Sequence, residues 1–352
     1  MKLLKTLFKL LGILVALVLL AAAGLVGYLS LTEYKPAPVK ALPVTEAALK
    51  EEPAIGELLT VVSFNTGYAG LDRTQDFFMD GGKNVRPGSE AEVRGNLSNM
   101  LGVLDGFDAQ IILLQEVDED SARSYGINQK EYYRRGLAMN AAMAYNYQCA
   151  FVPFPWPPIG RVSSGLVTLT ELNVQSAERV SLPVPFDWPV RAANLKRCLL
   201  VERVPVKDTD KELVIINLHL EAYDDGEGKL AQTRQLVELL QAEVDAGNYV
   251  IAGGDFNQTF PDAPAMPAVE PDGWQPGLMA ELPEGLSYVY DAATPTCRSL
   301  SKPYTGDRSK TQFYVIDGFI LSDNLKVNHV ETIDLNFLSS DHNPVLLQVT
   351  LQ

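Results

Sequence analysis

Histidine and cysteine are scarce in this chain, three of each in 352 residues, and basic residues are outnumbered by acidic ones. Cys149, Cys198 and Cys297 are widely spaced and odd in number, which excludes a disulfide framework and the paired-cysteine spacing of a structural zinc site. Three buried thiols is the plain reading; one bridge plus a free thiol stays open in an oxidising compartment. With 29 Lys and Arg against 44 Asp and Glu, the formal charge is −15. The chain therefore lacks the basic surplus of a protein that grips duplex DNA, and the balance favours a lipid or small molecule over nucleic acid as partner. No short-period repeat occurs, and no cysteine near the N-terminal apolar run supports a lipoprotein-type anchor.

That run is the longest hydrophobic feature present. From Leu10 to Leu31 no charged residue occurs, and as a helix the stretch covers about 33 Å, against a hydrocarbon core of roughly 30 Å. Lys2, Lys5 and Lys9 precede it and Glu33 follows it. The positive-inside rule then leaves residues 1–9 in the cytoplasm and the long C-terminal part outside, as a single-pass protein of the cell membrane. A cleaved signal peptide ending at Ala21-Ala22-Ala23 is the competing reading, but cleavage there would leave Gly24 to Leu29 as an exposed apolar tail. The expected organisation is a basic segment (1–9), a transmembrane signal-anchor helix (10–31), a Pro-containing linker (32–57) and one large domain (58–352).

Within the domain, strand and helix signals alternate. Leu58 to Asn65 is a short β-branched run ending in polar residues, so it predicts a buried strand with Asn65 at its C-terminal end. Ser89 followed by Glu92 suggests a capping box, and Val93, Leu97, Met100, Leu101 and Leu104 follow at helical spacing until Gly106. Ala109 to Val117 then returns as strand. A second unit repeats the order: Leu213 to Leu220 as strand, Leu236, Leu239, Leu240 and Val244 as a helix face, and Tyr249 to Asn257 as strand. With strand-rich stretches at Ser164 to Val174 and Leu199 to Val206, the pattern points to a two-layer β core covered by helices. Pro261 to Ser287 reads as a long surface excursion beside the substrate mouth.

Polar residues recur where the apolar runs end: Asn65, Gln115-Glu116, His219, Asp255-Phe256-Asn257, Asp317 and Asp341-His342. Ser63-Phe64-Asn65, Gln115-Glu116, Asn217-Leu218-His219-Leu220, Gly254-Asp255-Phe256-Asn257, Ile316-Asp317-Gly318-Phe319 and Ser340-Asp341-His342-Asn343-Pro344 resemble, in kind and in order, the motifs of the endonuclease/exonuclease/phosphatase superfamily. The resemblance implies the DNase I-like fold of class α/β (α+β), a four-layer β-sandwich flanked by helices. It also implies a metal-dependent hydrolase acting on ester bonds.

The chemistry explains the residue types. A phosphoester is anionic and its leaving alkoxide needs stabilising; a hard cation, Mg²⁺ or Mn²⁺, held by carboxylates does both jobs. Glu116 is the expected principal ligand, with Asn65 supporting the ion or a phosphate oxygen and Asp341 on the other side of the ion or at a second metal position. Asp255 and Asn257, two apart on one extended segment, would orient the attacking water. Asp317 and His342 would form a carboxylate–imidazole pair, and His219 would donate to a phosphate oxygen or protonate the leaving group.

Other features take plainer readings. His329 is structural. Glu221, Asp224 and Asp225 form a solvated acidic turn. Arg191, Lys196 and Arg197 form a solvated basic cluster, with contact to an anionic substrate as the alternative. The aromatic-proline segment Phe151 to Pro158 packs rigidly over the core, with contact to a lipid interface or a base as the alternative. A surface or secreted nuclease and a non-catalytic binding domain remain competing functions, and no protein partner is expected.

Overall fold

Strands that are apolar on both faces persist only when both faces are covered. The computed structural model, which describes residues 1–45, 50–224 and 226–352, covers them by stacking two mixed sheets. In chain order their strands are β1 (Val39–Leu42), β2 (Leu58–Asn65), β3 (Ile111–Asp118), β4 (Asn140–Val152), β5 (Gly160–Thr170), β6 (Ser176–Ser181), β7 (Cys198–Pro205), β8 (Glu212–His219), β9 (Tyr249–Asp255), β10 (Leu286–Val289), β11 (Asp317–Ser322), β12 (Leu325–Thr332) and β13 (Val345–Leu351). The seven-stranded sheet runs β1-β6-β7-β8-β9-β11-β10, and the six-stranded sheet β12-β13-β2-β3-β5-β4.

Alternate residues of each strand face the partner sheet. Val61, Leu113 and Leu347 of one sheet meet Ile215, Ile251 and Phe319 of the other in a fully buried central layer. The outward residues are covered by helices. Helix α2 (Glu90–Asp105) puts Val93, Leu97, Met100 and Leu104 on Val62, Phe64, Ile112 and Leu114, with α3 (Gln129–Leu137) contributing Tyr133. Helix α4 (Glu227–Asp245) puts Leu236 and Leu240 on Val214, Ile216 and Val250. Helix, sheet, sheet and helix give the expected four-layer sandwich. At the start of α2, Ser89 Oγ accepts the Glu92 amide at 3.2 Å, while the Glu92 carboxylate reaches one residue further back, to the Gly88 amide.

Strand direction collects the polar termini at one rim. β2 and β3 are parallel, with Asn65 beside Gln115, and β8 and β9 are parallel, with His219 beside Asp255. β11 is antiparallel to β9, so its first residue, Asp317, pairs with Asp255. Gly254 permits this close strand approach: at φ +151°, a Cβ there would stand 1.9 Å from the Leu218 carbonyl oxygen.

Four sequence expectations need correction. Residues 32–57 are not a free linker: β1 pairs with β6 from Val39↔Val180 to Leu42↔Ala177, and Thr45 and Glu51 bridge to Ala141 and Leu172. Residues 46–49 of this stretch lie outside the described residues. The basic cluster is not solvated, because Lys196 and Arg197 are buried; Glu33 pairs with Arg191 and Lys196, and Arg197 faces Glu221. The acidic turn is structured too: buried Glu221 accepts the Ala222 and Tyr223 amides, and Asp224 accepts the Lys229 amide at the start of α4, while Asp225 lies outside the described residues. The aromatic-proline segment does not pack down over its whole length, since Phe154 and Trp156 are 70% and 88% exposed.

The excursion after Pro261 is pinned rather than free. Trp274 Nε1 donates to the Ala222 carbonyl at 2.8 Å, and Glu270 accepts from Ser299, Ser301 and Lys302. His329 is exposed beside Glu331, far from the rim chemistry in role.

Among the described residues one helix, α1 (Lys2–Leu31), is long and apolar enough to cross a membrane. Its last turns are not detached from the domain. Leu25 and Leu29 pack with Cys149, Val152, Ile159, Val162 and Ala192, and Trp188 Nε1 donates to Ser30 Oγ at 2.8 Å.

Candidate active site

The rim brings Asn65, Glu116, His219, Asp255, Asp317, Asp341 and His342 to one place from six stretches of chain. Asn65 is at the centre. Its Nδ2 lies 3.0 Å from Asp255 Oδ2, 3.3 Å from Glu116 Oε1 and 3.4 Å from His342 Nε2, while its Oδ1 accepts the Gly67 amide at 3.1 Å. Asn65 thus acts as a donor that spaces the acidic groups, and its carbonyl oxygen, the atom a cation would prefer, is already used by Gly67. Glu116 reaches the site from an irregular point in β3: its φ is +55° and the register with β5 shifts between Leu114 and Val117.

Asp255 is buried at the end of β9. Its Oδ1 accepts the Asn257 amide at 2.9 Å, and its Oδ2 also faces His219 Nε2 at 3.4 Å and His342 Nε2 at 3.7 Å. The expectation that Asp255 and Asn257 share an extended segment fails, because Asn257 has φ +51° and lies beyond the strand. Its side-chain amide donates to the Leu220 carbonyl at 3.0 Å, so Asn257 fixes the loop and the Asp255 carboxylate through its own backbone N–H.

Behind these groups, His342 Nδ1 and Asp317 Oδ2 are 2.9 Å apart and both residues are buried. Burial alone would lower the basicity of His342, but the adjacent Asp317 carboxylate, aided by Asp341, outweighs it and holds the imidazole well above its usual range. His219 goes the other way: burial, then the positive charges of Arg197, His342 and Arg123, push it well below that range, so it stays neutral. Two histidines in one site are therefore held in opposite charge states. Among the carboxylates, burial and the charge of Asp317 push Asp255 up to about 7. Burial and the charge of Glu116 likewise push Asp341 up to about 6.

The donor set indicates where a cation fits. Asp255, Asp317 and His342 offer ligand atoms within 4.8 Å of one another, as do Cys297, Asp341 and His342. Each set includes a group that holds its proton in the absence of a metal, His342 in both and the Cys297 thiol in the second, so a cation there would have to displace that proton. Glu116 and Asp341 are different: two hard oxygen donors whose charges oppose each other, an arrangement a divalent cation relieves. Gly67 makes room beside them, since at its φ of +50° a Cβ would come within 2.9 Å of Asp341 Oδ1.

Supporting residues were less visible in the sequence. Gln115 Nε2 donates to Asn217 Oδ1 at 2.8 Å, and Asn217 Nδ2 donates to the Leu114 and Val167 carbonyls, a clamp between the two sheets directly under the site. Asp118 holds Arg123 through two hydrogen bonds, and the guanidinium lies 3.8 Å above the Tyr68 ring. Thr296 Oγ1 accepts the Asp317 amide, and Ser340 Oγ ties Asn65 to the His342 loop. Asn217 sits two positions before His219 in the strand motif and could have been read as inward-facing; Thr296 and Arg123 carry no such signal. Cys149, Cys198 and Cys297 are free and buried, as expected.

Comparison with known proteins adds to this geometry. The sequence pattern of the Endonuclease/Exonuclease/phosphatase family matches residues 62–342. Among curated proteins none matches. Among solved structures, an endonuclease/exonuclease/phosphatase from Beutenbergia cavernae is similar over 84% of this chain and 72% of its own, at 17% identity and TM-score 0.56. ANGEL2, a 2′,3′-cyclic phosphatase solved with adenosine-2′,3′-vanadate, is similar over 88% of this chain and 98% of its own, at 16% identity and TM-score 0.55. A D. rerio TDP2 humanized by 14 mutations covers 83% and 99%, at 14% identity and TM-score 0.51. At these identities the likeness is one of fold.

Proposed function

The chain belongs to the endonuclease/exonuclease/phosphatase family, and from that premise we propose that it is a membrane-anchored, divalent-metal-dependent phosphoesterase that hydrolyses a lipid or small phosphoester by in-line attack of water. The observation that carries this reading is the single amide of Asn65, which donates to Glu116 and Asp255 in one buried cluster beside the His342–Asp317 pair.

Glu116 and Asp341 would hold Mg²⁺ or Mn²⁺, with Asn65 keeping the Glu116 carboxylate in place. When bound, the ion neutralises non-bridging oxygens of the phosphate and the charge growing on the leaving oxygen. Asp255, poised near neutral pH, accepts a proton from the attacking water, and its carboxylate is aimed by Asn65 and the Asn257 amide. His342, kept protonated by Asp317, supplies positive charge where the phosphoryl oxygens gain negative charge. His219, kept neutral, donates one N–H to a phosphate oxygen at no cost in ionisation. Net acidity supports a lipid or small phosphoester over nucleic acid. The apolar helix supports anchoring, with the domain outside the cell.

The test is a screen of phosphodiesters, phosphomonoesters, phospholipids and oligonucleotides on the purified full chain in detergent. Hydrolysis should vanish in chelator and return with Mg²⁺ or Mn²⁺, and Glu116→Gln should raise the metal concentration required. Preference for oligonucleotides would favour a nuclease. Binding without turnover in every metal would favour a non-catalytic domain.

A further inference from the structure

The sandwich has two rims, and the elements at the catalytic one include more than catalytic residues. β4 runs in the same direction as β3, because both are antiparallel to β5, so the β4–β5 turn at residues 153–159 lies at the end where Glu116 sits. β6 runs in the same direction as β8, because both are antiparallel to β7, so the loop 182–197 lies at the end where His219 sits. These two loops carry Phe154 (70% exposed), Trp156 (88%), Trp188 (57%) and Val190 (59%). Large aromatic side chains that bury so little are unfavourable in water, and Trp in particular concentrates at membrane interfaces.

The same two loops receive the end of α1. Leu25 and Leu29 pack against residues flanking the β4–β5 turn and Ala192, and Ser30 bonds Trp188. Glu33, just past the helix, is locked to Arg191 and Lys196, so no free tether separates helix from rim. From Lys9 to Leu29 the helix rises about 30 Å, the thickness of a hydrocarbon core. The aromatic loops level with Leu29 and Ser30 therefore stand at the boundary between acyl chains and headgroups.

The patch extends toward the site. Phe154 makes an edge contact with Phe78 at 5.9 Å, and two residues on, Asp80 accepts the Tyr223 hydroxyl at 2.9 Å. Tyr223 follows His219 on the loop leading to α4.

We propose that the catalytic rim lies flat on the bilayer from which α1 emerges, with Phe154, Trp156, Trp188 and Val190 inserted among the lipids, and that the substrate is a phosphoester resident in that bilayer. This rests on the anchored-phosphoesterase reading. It adds that the mouth faces the lipid rather than the aqueous phase. A membrane-borne phosphate then needs to rise only into the headgroup layer to meet Asn65 and His342, which a duplex nucleic acid could not do.

Two measurements on the full-length chain in phosphatidylcholine nanodiscs test this. In the first, lipids brominated high on the acyl chain quench tryptophan fluorescence. Emission from Trp156 and Trp188 should be quenched, and the variant Trp156→Phe with Trp188→Phe, which leaves Trp274, should be almost insensitive to bromination. Equal quenching of wild type and variant, or none, overturns the orientation, including the case in which a protein partner covers the patch.

In the second, Mg²⁺-supported hydrolysis of a phosphatidyl-p-nitrophenol in the disc is compared with that of soluble bis(p-nitrophenyl) phosphate. Phe154→Ser with Trp156→Ser should lower the lipid rate about tenfold or more while leaving the soluble rate within about twofold. Equal losses on both, or none on either, overturn the assignment of the patch to lipid substrate. Absence of hydrolysis on both substrates sinks the phosphoesterase reading and the bilayer-resident substrate with it, whereas the quenching result still decides the orientation.

Discussion

Asn65 Nδ2 and Asp255 Oδ2 are 3.0 Å apart although 190 positions separate the residues and they end strands of different sheets. The hydrogen bond joins the two halves of the sandwich at the candidate site. Asn65→Ala would leave the buried Asp255 carboxylate without this donor, and unsatisfied buried groups cost about 1–3 kcal/mol. The variant should melt lower in chelator and lose most of its phosphoester hydrolysis. Asn65→Asp, which adds a carboxylate between two others, should be worse in chelator and recover stability on addition of Mg²⁺. Wild-type rate in Asn65→Ala would remove this residue from the proposed centre.

The Asp317–His342 pair should behave as one unit. His342→Ala is expected to lower the rate roughly 10²–10⁴-fold, the usual scale for a positioned acid–base group. Asp317→Asn should cost nearly as much, since the imidazole loses the charge that keeps it protonated. The double variant should be little worse than the worse single one. Multiplying losses, measured as kcat/KM on the best substrate, would mean that the two act independently.

Stability should depend on pH through Asp255. Its carboxyl is pushed up to about 7 in the fold, whereas an unfolded Asp titrates near 4. A raised folded value means the fold favours the protonated acid, so that contribution is complete below about pH 4 and is lost as pH climbs through 7. In chelator, Asp255→Asn should therefore gain in Tm relative to wild type between about pH 5 and pH 8. A difference that stays flat over that range would show that Asp255 titrates normally.

Removal of residues 1–31 should leave a stable domain, because Glu33, β1 and the bridge at Thr45 are retained. Removal of residues 1–57 should expose the β6 edge and strip the partner from Arg191 and Lys196, lowering Tm by about 4 °C or more and promoting aggregation. Equal melting curves for the two would restore residues 32–57 to the role of a passive tether.

What the sequence determined by itself is local. Apolar β-branched runs broken by Asn, His or Asp mark where buried strands end, so β2, β3, β8 and β9 and the residues Asn65, Glu116, His219 and Asp255 could be placed on strand termini from pattern alone. Ser89 announced α2 for the same kind of reason, a side chain bonding its own backbone nearby. The shared order of the motifs carried the family and hence the four layers. Tertiary structure decided everything that depends on which distant surface covers which. The strand at Val39–Leu42 has no strong pattern and exists because β6 offers an open edge. Lys196 and Arg197 read as solvated until Glu33 and Glu221 are brought against them. Asn257 leaves the extended conformation and bonds the Leu220 carbonyl, and Phe154 and Trp156 read as packed although the fold gives Phe154 little more than the edge of Phe78 and leaves both largely exposed. Charge states were decided there too: His219 and His342 have the same intrinsic chemistry, and only what folding supplies drives them apart, burial and then Arg197 for His219, and for His342 the Asp317 carboxylate that outweighs its burial.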